Sequence, residues 1–322
     1  MYVEGFIMLN NADKAQSLSF PYLAFYGDWT KAPLFDLDYF ETNRDELDDS
    51  IDPLDKTLPD AYATRPIGGS TGDYVSYLGS YYFEQNPQNK IIAADRKYIS
   101  ISNQSANNEI NSLRFVWAGL LRNAERVEIV ITEDSTGEVV FTTTDYDIRK
   151  AYGDGGPIRP ANIDIEFSAI DMNLKNNTQY TVSMKGYLDY GDGGVNSNLN
   201  NEFSFPITTD FSAPVLSGCE FYVEYDRSTK TNRLFAKMAI YDNHYAMALQ
   251  AGYVGTDSEG SPMFYSFDKY ATPVYSEFNS TTYVQYELTD YIDEIMAGAY
   301  NKNTFTIAAY DYAMNSATYE IA

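Results

Sequence analysis

Residues 126–144 read RVEIVITEDSTGEVVFTTT, and this stretch indicates the fold class of the chain. Val127, Ile129 and Ile131 occupy every second position, which is the period of a strand with one buried face. The tetrapeptide DSTG that follows is typical of a turn, and the VVF segment beyond it is apolar again. The stretch therefore predicts a β-hairpin.

Short runs of this kind recur along the chain and are separated by turn residues, which is the pattern of an all-β protein. The first series of predicted strands comprises Tyr2–Leu9, Leu18–Tyr26, Tyr98–Asn103, Ser112–Ala118, Arg126–Thr132, Glu138–Thr144, Ile163–Phe167, Tyr180–Tyr187 and Asn201–Thr208. The second series comprises Cys219–Tyr225, Arg233–Tyr241, Ala251–Gly255, Thr282–Glu287 and Thr304–Tyr310. Two successive series of strands predict tandem β-sandwiches.

The domain boundaries follow from these series and from changes in composition. We predict one sandwich over residues 79–211 and another over residues 212–322, with the Ala-Pro dipeptide at 213–214 marking the boundary. Residues 1–78 are interpreted as part of a preceding sandwich followed by an acidic linker or insertion that packs against its neighbour. Residues 288–300 are the exception to the β pattern and predict one short helix, capped by Asp290 and ended by Gly298.

Composition excludes several classes of function. The chain has 22 Lys and Arg against 46 Asp and Glu, and its net charge of −24 argues against binding to nucleic acid. No apolar run is long enough for a membrane helix, and the first ten residues lack the pattern of a secretion signal. Cys219 is the only cysteine, so we expect neither an internal disulfide nor a thiolate metal site.

Two features resemble parts of catalytic sites, but their surroundings favour structural roles. Residues 68–72 read GGSTG and match the G-x-S-x-G pattern of a nucleophile elbow, but no strand is predicted before them and no helix after them. They are interpreted as a glycine-serine loop. His244 is the only histidine and lies at a strand end, where we expect a turn residue hydrogen-bonded to its neighbours rather than a general base. No catalytic residue is predicted.

Calcium is the one metal that the sequence suits. Asp189 and Asp192 lie in the turn DYGDGG, and Asp154 lies in YGDGG, so carboxylates occur among glycines that leave backbone carbonyls accessible to a hard cation. Neither turn matches the twelve-residue calcium loop, and such turns are also ordinary hairpin tips. These three residues are the candidate metal ligands, and no other cofactor is expected.

The first 36 residues resemble a known family. YVEGF at 2–6, PYLAFYGDW at 21–29 and KAPLFD at 31–36 are similar, in order and spacing, to the end of the first fibronectin type III-like domain in cell-envelope subtilases. This family includes the lactocepin-type proteinases and the complement-cleaving peptidases of Gram-positive cell walls. The resemblance implies fibronectin type III-like, that is immunoglobulin-like, β-sandwiches.

Later motifs extend the resemblance over most of the chain. LLRNA at 120–124, DNHY at 242–245 and DYAMN at 311–315 are similar to segments of the following domains. Met314 stands where the family usually has glycine, and residues 100–109 lack the Asp and both Gly of the family's SPNGDG loop. An inherited calcium site at that loop is therefore not expected. The subtilase catalytic segments are absent.

The resemblance implies a non-catalytic part of a secreted serine endopeptidase at the cell wall of a Gram-positive bacterium. The expected partners are a protease domain upstream in the same polypeptide and protein substrates, and the chain is expected to be a monomer. Two alternatives remain open. The chain, which has 30 tyrosines, could be a surface adhesin or carbohydrate-binding module that uses exposed aromatic rings, or it could be a passive stalk.

Overall fold

The computed structural model describes residues 2–10, 17–25, 33–35, 38, 40, 64–69, 75–85, 88–104, 109–150, 161–188, 199–256, 258, 260–267, 271–300 and 304–321. Within these ranges the chain is built mostly of β-strands, with one short α-helix near the C-terminal end. This confirms the predicted all-β class.

The strands are β1 (Tyr2–Asn10), β2 (Ser17–Phe25), β3 (Arg65–Gly69), β4 (Val75–Tyr77), β5 (Ser80–Gln85), β6 (Gln88–Ala94), β7 (Ser100–Ile101), β8 (Ser112–Ala118), β9 (Ala124–Glu133), β10 (Val139–Ile148), β11 (Ala161–Ser168), β12 (Thr178–Tyr187), β13 (Leu199–Thr209), β14 (Val215–Asp226), β15 (Thr231–Tyr241), β16 (Ala246–Thr256), β17 (Pro262–Ser266), β18 (Thr272–Pro273), β19 (Thr281–Glu287), β20 (Phe305–Asp311) and β21 (Ser316–Glu320). The helix α1 is Ile292–Tyr300.

The first sandwich packs two sheets over one core. Its five-stranded sheet has the order β10-β9-β12-β13-β7, and its four-stranded sheet has the order β11-β8-β3-β4. Ile129 on β9 and Val182 on β12 face Val116 on β8 and Phe167 on β11, and all four side chains are fully buried. Alternating apolar residues on both sheets thus form one continuous hydrophobic core.

The hairpin predicted from residues 126–144 is present. Strands β9 and β10 pair antiparallel, with Thr142 opposite Val130 and Thr143 opposite Ile129. Gly137 in the turn has φ of 72°, which glycine adopts without a steric penalty. The hydrogen bond from the Gly137 N–H to the Glu133 carbonyl closes the turn.

Parts of the acidic segment belong to the first sandwich. Leu34, Phe35 and Phe40 are buried in its core, as expected for a segment that packs against its neighbour. Strands β3 and β4 join the four-stranded sheet through β8, so this sheet includes strands from both sides of the boundary predicted at residue 79.

The second sandwich has a three-stranded sheet of order β14-β15-β19 facing a sheet of order β17-β16-β20-β21, with β18 paired to β16. Its core includes Met238 and Ile240 from β15, Leu249 from β16 and Ile307 from β20. The strand predicted at 251–255 is longer in the structure because β16 continues back to Ala246 through four buried residues.

The predicted helix is present with different ends. A 3-10 turn over Thr289–Tyr291 precedes α1, and its N-cap is Leu288, which makes no side-chain capping bond. Asp290 lies inside this 3-10 turn, so it is not the cap. Gly298 lies inside α1, which continues to Tyr300, so it is not the terminator. In the described part of the chain, no helix combines the length and the apolar character that crossing a membrane requires.

Strands β1 and β2 form a separate two-stranded sheet in which Tyr2 pairs with Phe25 and Leu9 pairs with Leu18. Large apolar side chains are exposed on both of its faces: Phe6 is 68% exposed and its neighbour Ile7 is 52% exposed. Because a two-stranded sheet is marginally stable alone, these faces suit a partner surface.

An ion pair between the buried Glu133 at the end of β9 and the exposed Lys175 makes the stability of the first sandwich depend on pH. Lys175 Nζ lies 2.6 Å from Glu133 Oε2, and the Ser135 hydroxyl donates to Glu133 Oε1 at 2.7 Å. These hydrogen bonds lower the pKa of Glu133 below its ordinary value of 4.5. The ionised carboxylate therefore stabilises the fold above about pH 4.5, and the contribution is lost as the pH falls below that value.

We expect Glu133→Gln to reduce this dependence, because the amide keeps the size of the side chain but does not titrate. Thermal unfolding at pH 7 and pH 3 measures the effect as the difference between the two midpoints. The difference should be smaller in the variant than in the parent chain. Equal differences would show that Glu133 makes no such contribution.

Candidate functional site

Three aspartates from distant parts of the chain meet where the two sandwiches join. Asp210 directly follows β13 in the first sandwich, whereas Asp242 directly follows β15 and Asp311 ends β20 in the second. Each offers a carboxylate oxygen that lies within 4.8 Å of the other two. All three side chains are buried. The strand ends thus bring three acidic groups into one enclosed site, which we call the junction cluster.

Backbone and amide donors orient the carboxylates of the junction cluster. Asp210 Oδ1 accepts from the Ser212 N–H at 3.2 Å and from Asn243 Nδ2 at 2.9 Å. Asp242 Oδ1 accepts from the His244 N–H at 2.7 Å. The second oxygens, Asp210 Oδ2 and Asp242 Oδ2, are buried and accept no hydrogen bond from a group outside the cluster, and the Asp210 carboxyl lies close enough to those of Asp242 and Asp311 to share a proton with them. When all three groups are ionised, these two acceptor atoms therefore lack a donor.

Asn315 connects the third carboxylate to both sandwiches. Its N–H donates to Asp311 Oδ1 at 2.8 Å, and its Nδ2 donates to Asp311 Oδ2 at 2.6 Å and to the Asp210 carbonyl at 2.7 Å. Its Oδ1 accepts a hydrogen bond from the Ser102 hydroxyl of the first sandwich. One buried amide thus satisfies groups from three segments.

The tight turn from Asp311 to Asn315 explains the conformation of Met314. Met314 has φ of 63°, in the left-handed region that residues with a Cβ rarely adopt. Its side chain packs against the core of the first sandwich and also against a small apolar cluster of the second. These contacts offset part of the backbone cost, and they explain how a residue other than glycine is accommodated here.

Aromatic rings surround the polar part of the junction. The ring of Tyr98, from the first sandwich, stacks on Tyr312 at 4.2 Å between centroids with an interplanar angle of 3°. The same ring meets the edge of Tyr245 at 4.9 Å. The Ile110 N–H donates to the Ala313 carbonyl at 2.9 Å and adds a backbone bond between the sandwiches. The junction cluster therefore lies inside a packed interface.

The enclosed carboxylates have strongly altered proton affinities. Burial, with a contribution from the neighbouring Asp210 carboxylate, raises the pKa of Asp242 to about 7. Burial and the charges of Asp210 and Asp242 raise the pKa of Asp311 well above its ordinary value, and burial also raises the pKa of Asp210. Three carboxylates at this spacing cannot all remain charged without compensation.

The candidate metal ligands Asp189, Asp192 and Asp154 lie outside the described residues. In the GGSTG motif, Gly68 and Gly69 are part of β3 rather than of a loop, and the other three residues lie outside the described ranges. A Cβ atom at Gly68 would collide with the side chains of Ile110 and Leu78, so the strand needs glycine for close packing. The motif therefore begins within a packed strand.

His244 is buried between the rings of Tyr245 and Phe278. Its Nδ1 atom has no partner, and its other contacts include a hydrogen bond to the Lys97 backbone. Burial lowers the pKa of His244 to about 4, so the ring is neutral at pH 7. The expectation of a hydrogen-bonded turn histidine agrees with these contacts.

Sequence reasoning did not single out the three members of the junction cluster. Each lies in a motif noted above or beside the predicted boundary: the residues before Ala213, the DNHY segment and the DYAMN segment. The available signal was an acidic residue at the end of a predicted strand in each motif. A single sequence does not show that these three ends meet.

The negative charge of the junction cluster can be compensated in two ways: by protons shared among the carboxyl groups, or by a hard cation bound to their oxygens. No nucleophile and base pair lies in the cluster. Comparison with protein-family models gives no match for this chain, and comparison with curated proteins gives none either. The functional assignment therefore depends on the site and on the resemblance of the motifs.

Proposed function

We propose that the chain is a non-catalytic accessory region of a secreted, cell-wall-associated subtilisin-like serine endopeptidase and that it positions protein substrates. The observation that carries this proposal is the packed junction between the sandwiches, in which Asn315 and the stacked rings of Tyr98 and Tyr312 join the two domains. A joint of this kind would hold the two sandwiches in a fixed arrangement relative to an attached catalytic domain. A flexible connection would not.

The strand order supports the fibronectin type III-like interpretation. A three-stranded sheet facing a sheet of four main strands, as in the second sandwich, is the arrangement of that class of domain. The exposed apolar faces of β1 and β2 support a preceding sandwich as their partner, since the two strands would complete its sheets.

The protonation state of the only histidine supports the proposal that the chain has no catalytic activity. His244 is buried and neutral, and a base with a pKa near 4 is poorly matched to proton transfer at pH 7. The charge of −24 would favour basic polypeptide substrates through long-range attraction, which is weakened by salt.

Two measurements test this proposal. Sequencing of the gene upstream of residue 1 should show the Asp, His and Ser segments of a subtilase in the same reading frame. In the whole polypeptide, Asn315→Ala should then reduce the rate of casein cleavage and leave cleavage of a short chromogenic peptide unchanged. The purified chain alone should cleave neither substrate. An upstream frame without the three segments would overturn the proposal.

A binding module is the second candidate, and exposed tyrosines on the second sandwich favour it. Tyr283 on β19 is 76% exposed, and Tyr275 before it is 69% exposed. Exposed rings of this kind stack on sugars as well as on protein partners. Saturable binding on a glycan array, abolished by Tyr283→Ala, would favour this candidate over the accessory region. A passive stalk would show neither property.

A further inference from the structure

We propose that the junction cluster of Asp210, Asp242 and Asp311 binds one calcium ion, which joins the two sandwiches. This inference goes beyond the proposed function and does not depend on the presence of a protease domain. It assigns the metal site to residues other than the acidic glycine turns at Asp154, Asp189 and Asp192.

The first argument is the uncompensated charge. Among the described residues, none of the three aspartates forms a salt bridge, and the groups that donate hydrogen bonds to them are backbone amides and asparagine side chains. Three ionised carboxylates carry a formal charge of −3 in a buried site. A divalent cation would reduce that charge to −1 and remove most of the mutual repulsion.

The second argument is independent of the charge, since it concerns individual atoms. Asp210 Oδ2 and Asp242 Oδ2 are fully enclosed and no group outside the cluster donates to them, whereas buried polar atoms in folded proteins almost always have a partner. Both atoms belong to side chains that are at most 2% exposed, and both carboxyl groups contribute to the cluster within 4.8 Å. A cation between the carboxylates would satisfy these two atoms together.

The chemistry of the ligands selects the ion. The cluster contains carboxylates and includes neither histidine nor cysteine, which zinc and the softer metals prefer. Calcium accepts six to eight oxygens at flexible geometry, so three carboxylates with added waters suit it. Magnesium requires a near-ideal octahedron and holds its waters more strongly, so weaker binding is expected for it.

The test uses the 322-residue chain freed of metal by a chelator. Calorimetric titration with calcium chloride should show a saturable site at the junction, and magnesium chloride should bind more weakly. At a calcium concentration about a hundredfold above the dissociation constant, the midpoint of thermal unfolding should rise by roughly 5–10 °C.

Asp242→Asn is the decisive variant. It removes one ligand and also one of the repelling charges, so the metal-free variant should be at least as stable as the metal-free parent, yet calcium should no longer raise its midpoint. Asp210→Asn is a second variant with the same expectation. If Asp242 only stabilised the fold, Asp242→Asn would lower the stability of the metal-free chain. Loss of the calcium response with unchanged stability of the metal-free chain therefore identifies Asp242 as a ligand.

The combined variant Asp154→Asn, Asp189→Asn and Asp192→Asn is the matched control and should keep the full calcium response. If this control loses the response while Asp242→Asn keeps it, the ion binds at the glycine turns and the proposal is wrong. If the parent chain shows no response to calcium at all, the junction cluster holds protons instead, and the proposal is also wrong.

Discussion

Replacement of Asn315 by alanine is expected to lower the free energy of unfolding by about 3 kcal/mol or more, since each buried polar group left without a partner costs about 1–3 kcal/mol. The variant leaves the Asp210 carbonyl, Asp311 Oδ2 and the Ser102 hydroxyl without this amide. Because these groups belong to both sandwiches, the loss should also weaken the coupling between them.

Differential scanning calorimetry in the presence of a chelator measures both effects. The parent chain should unfold with strongly overlapping transitions, and Asn315→Ala should separate them and lower the midpoint of the second sandwich. Asn232→Ala is the control, because Asn232 is exposed on β15 of the same sandwich. Its effect should stay within about 0.5 kcal/mol. Equal midpoints for the two variants would contradict the bridging role of Asn315.

Phe167→Ala is expected to destabilise the first sandwich by about 3–5 kcal/mol, through lost burial and the cavity that remains. Phe167 on β11 is fully buried, and its ring meets the edge of Phe141 at 5.9 Å between centroids. It contacts the core from the sheet opposite β9 and β12, so neighbouring side chains from two sheets would have to move to fill the space.

Urea unfolding followed by tryptophan fluorescence measures this loss, because Trp117 lies on β8 beside β11. The midpoint concentration should fall while the slope of free energy against urea stays the same. Tyr146→Ala removes an aromatic ring that is 63% exposed on β10 of the same sandwich, and it should change stability by less than about 0.5 kcal/mol. A loss below 1 kcal/mol for Phe167→Ala would show that this core does not depend on close packing.

Most strands of the two cores could be predicted from local pattern. The strand predicted at Ser112–Ala118 has the same bounds in the structure, and Arg126–Thr132 lies inside β9. In these segments one face is buried and the other is not, so the apolar residues alternate in sequence. The hairpin turn is also predictable, because the residues DSTG at 134–137 are typical of turns, and in the structure Gly137 adopts a conformation that favours glycine.

Strands that depend on close contact with other segments were missed. The sequence of β3, RPIGG, has a low strand propensity, and its pattern indicates a linker and loop instead of a strand. It forms a strand because it pairs with β8 and because Gly68 lets the side chains of Ile110 and Leu78 approach its backbone. This requirement lies in the neighbours and not in the segment itself.

The sequence by itself determined the all-β class, the tandem arrangement of strands and the strongly acidic charge, since these follow from local alternation and from composition. Only the tertiary structure decided where acidic residues become a site. Asp210, Asp242 and Asp311 are separated by 32 and 69 residues along the chain, and they meet because three strands end at one junction. Their burial, the atoms left without donors and the raised pKa values all arise from that meeting. Long-range contact creates these properties, and no local pattern encodes them.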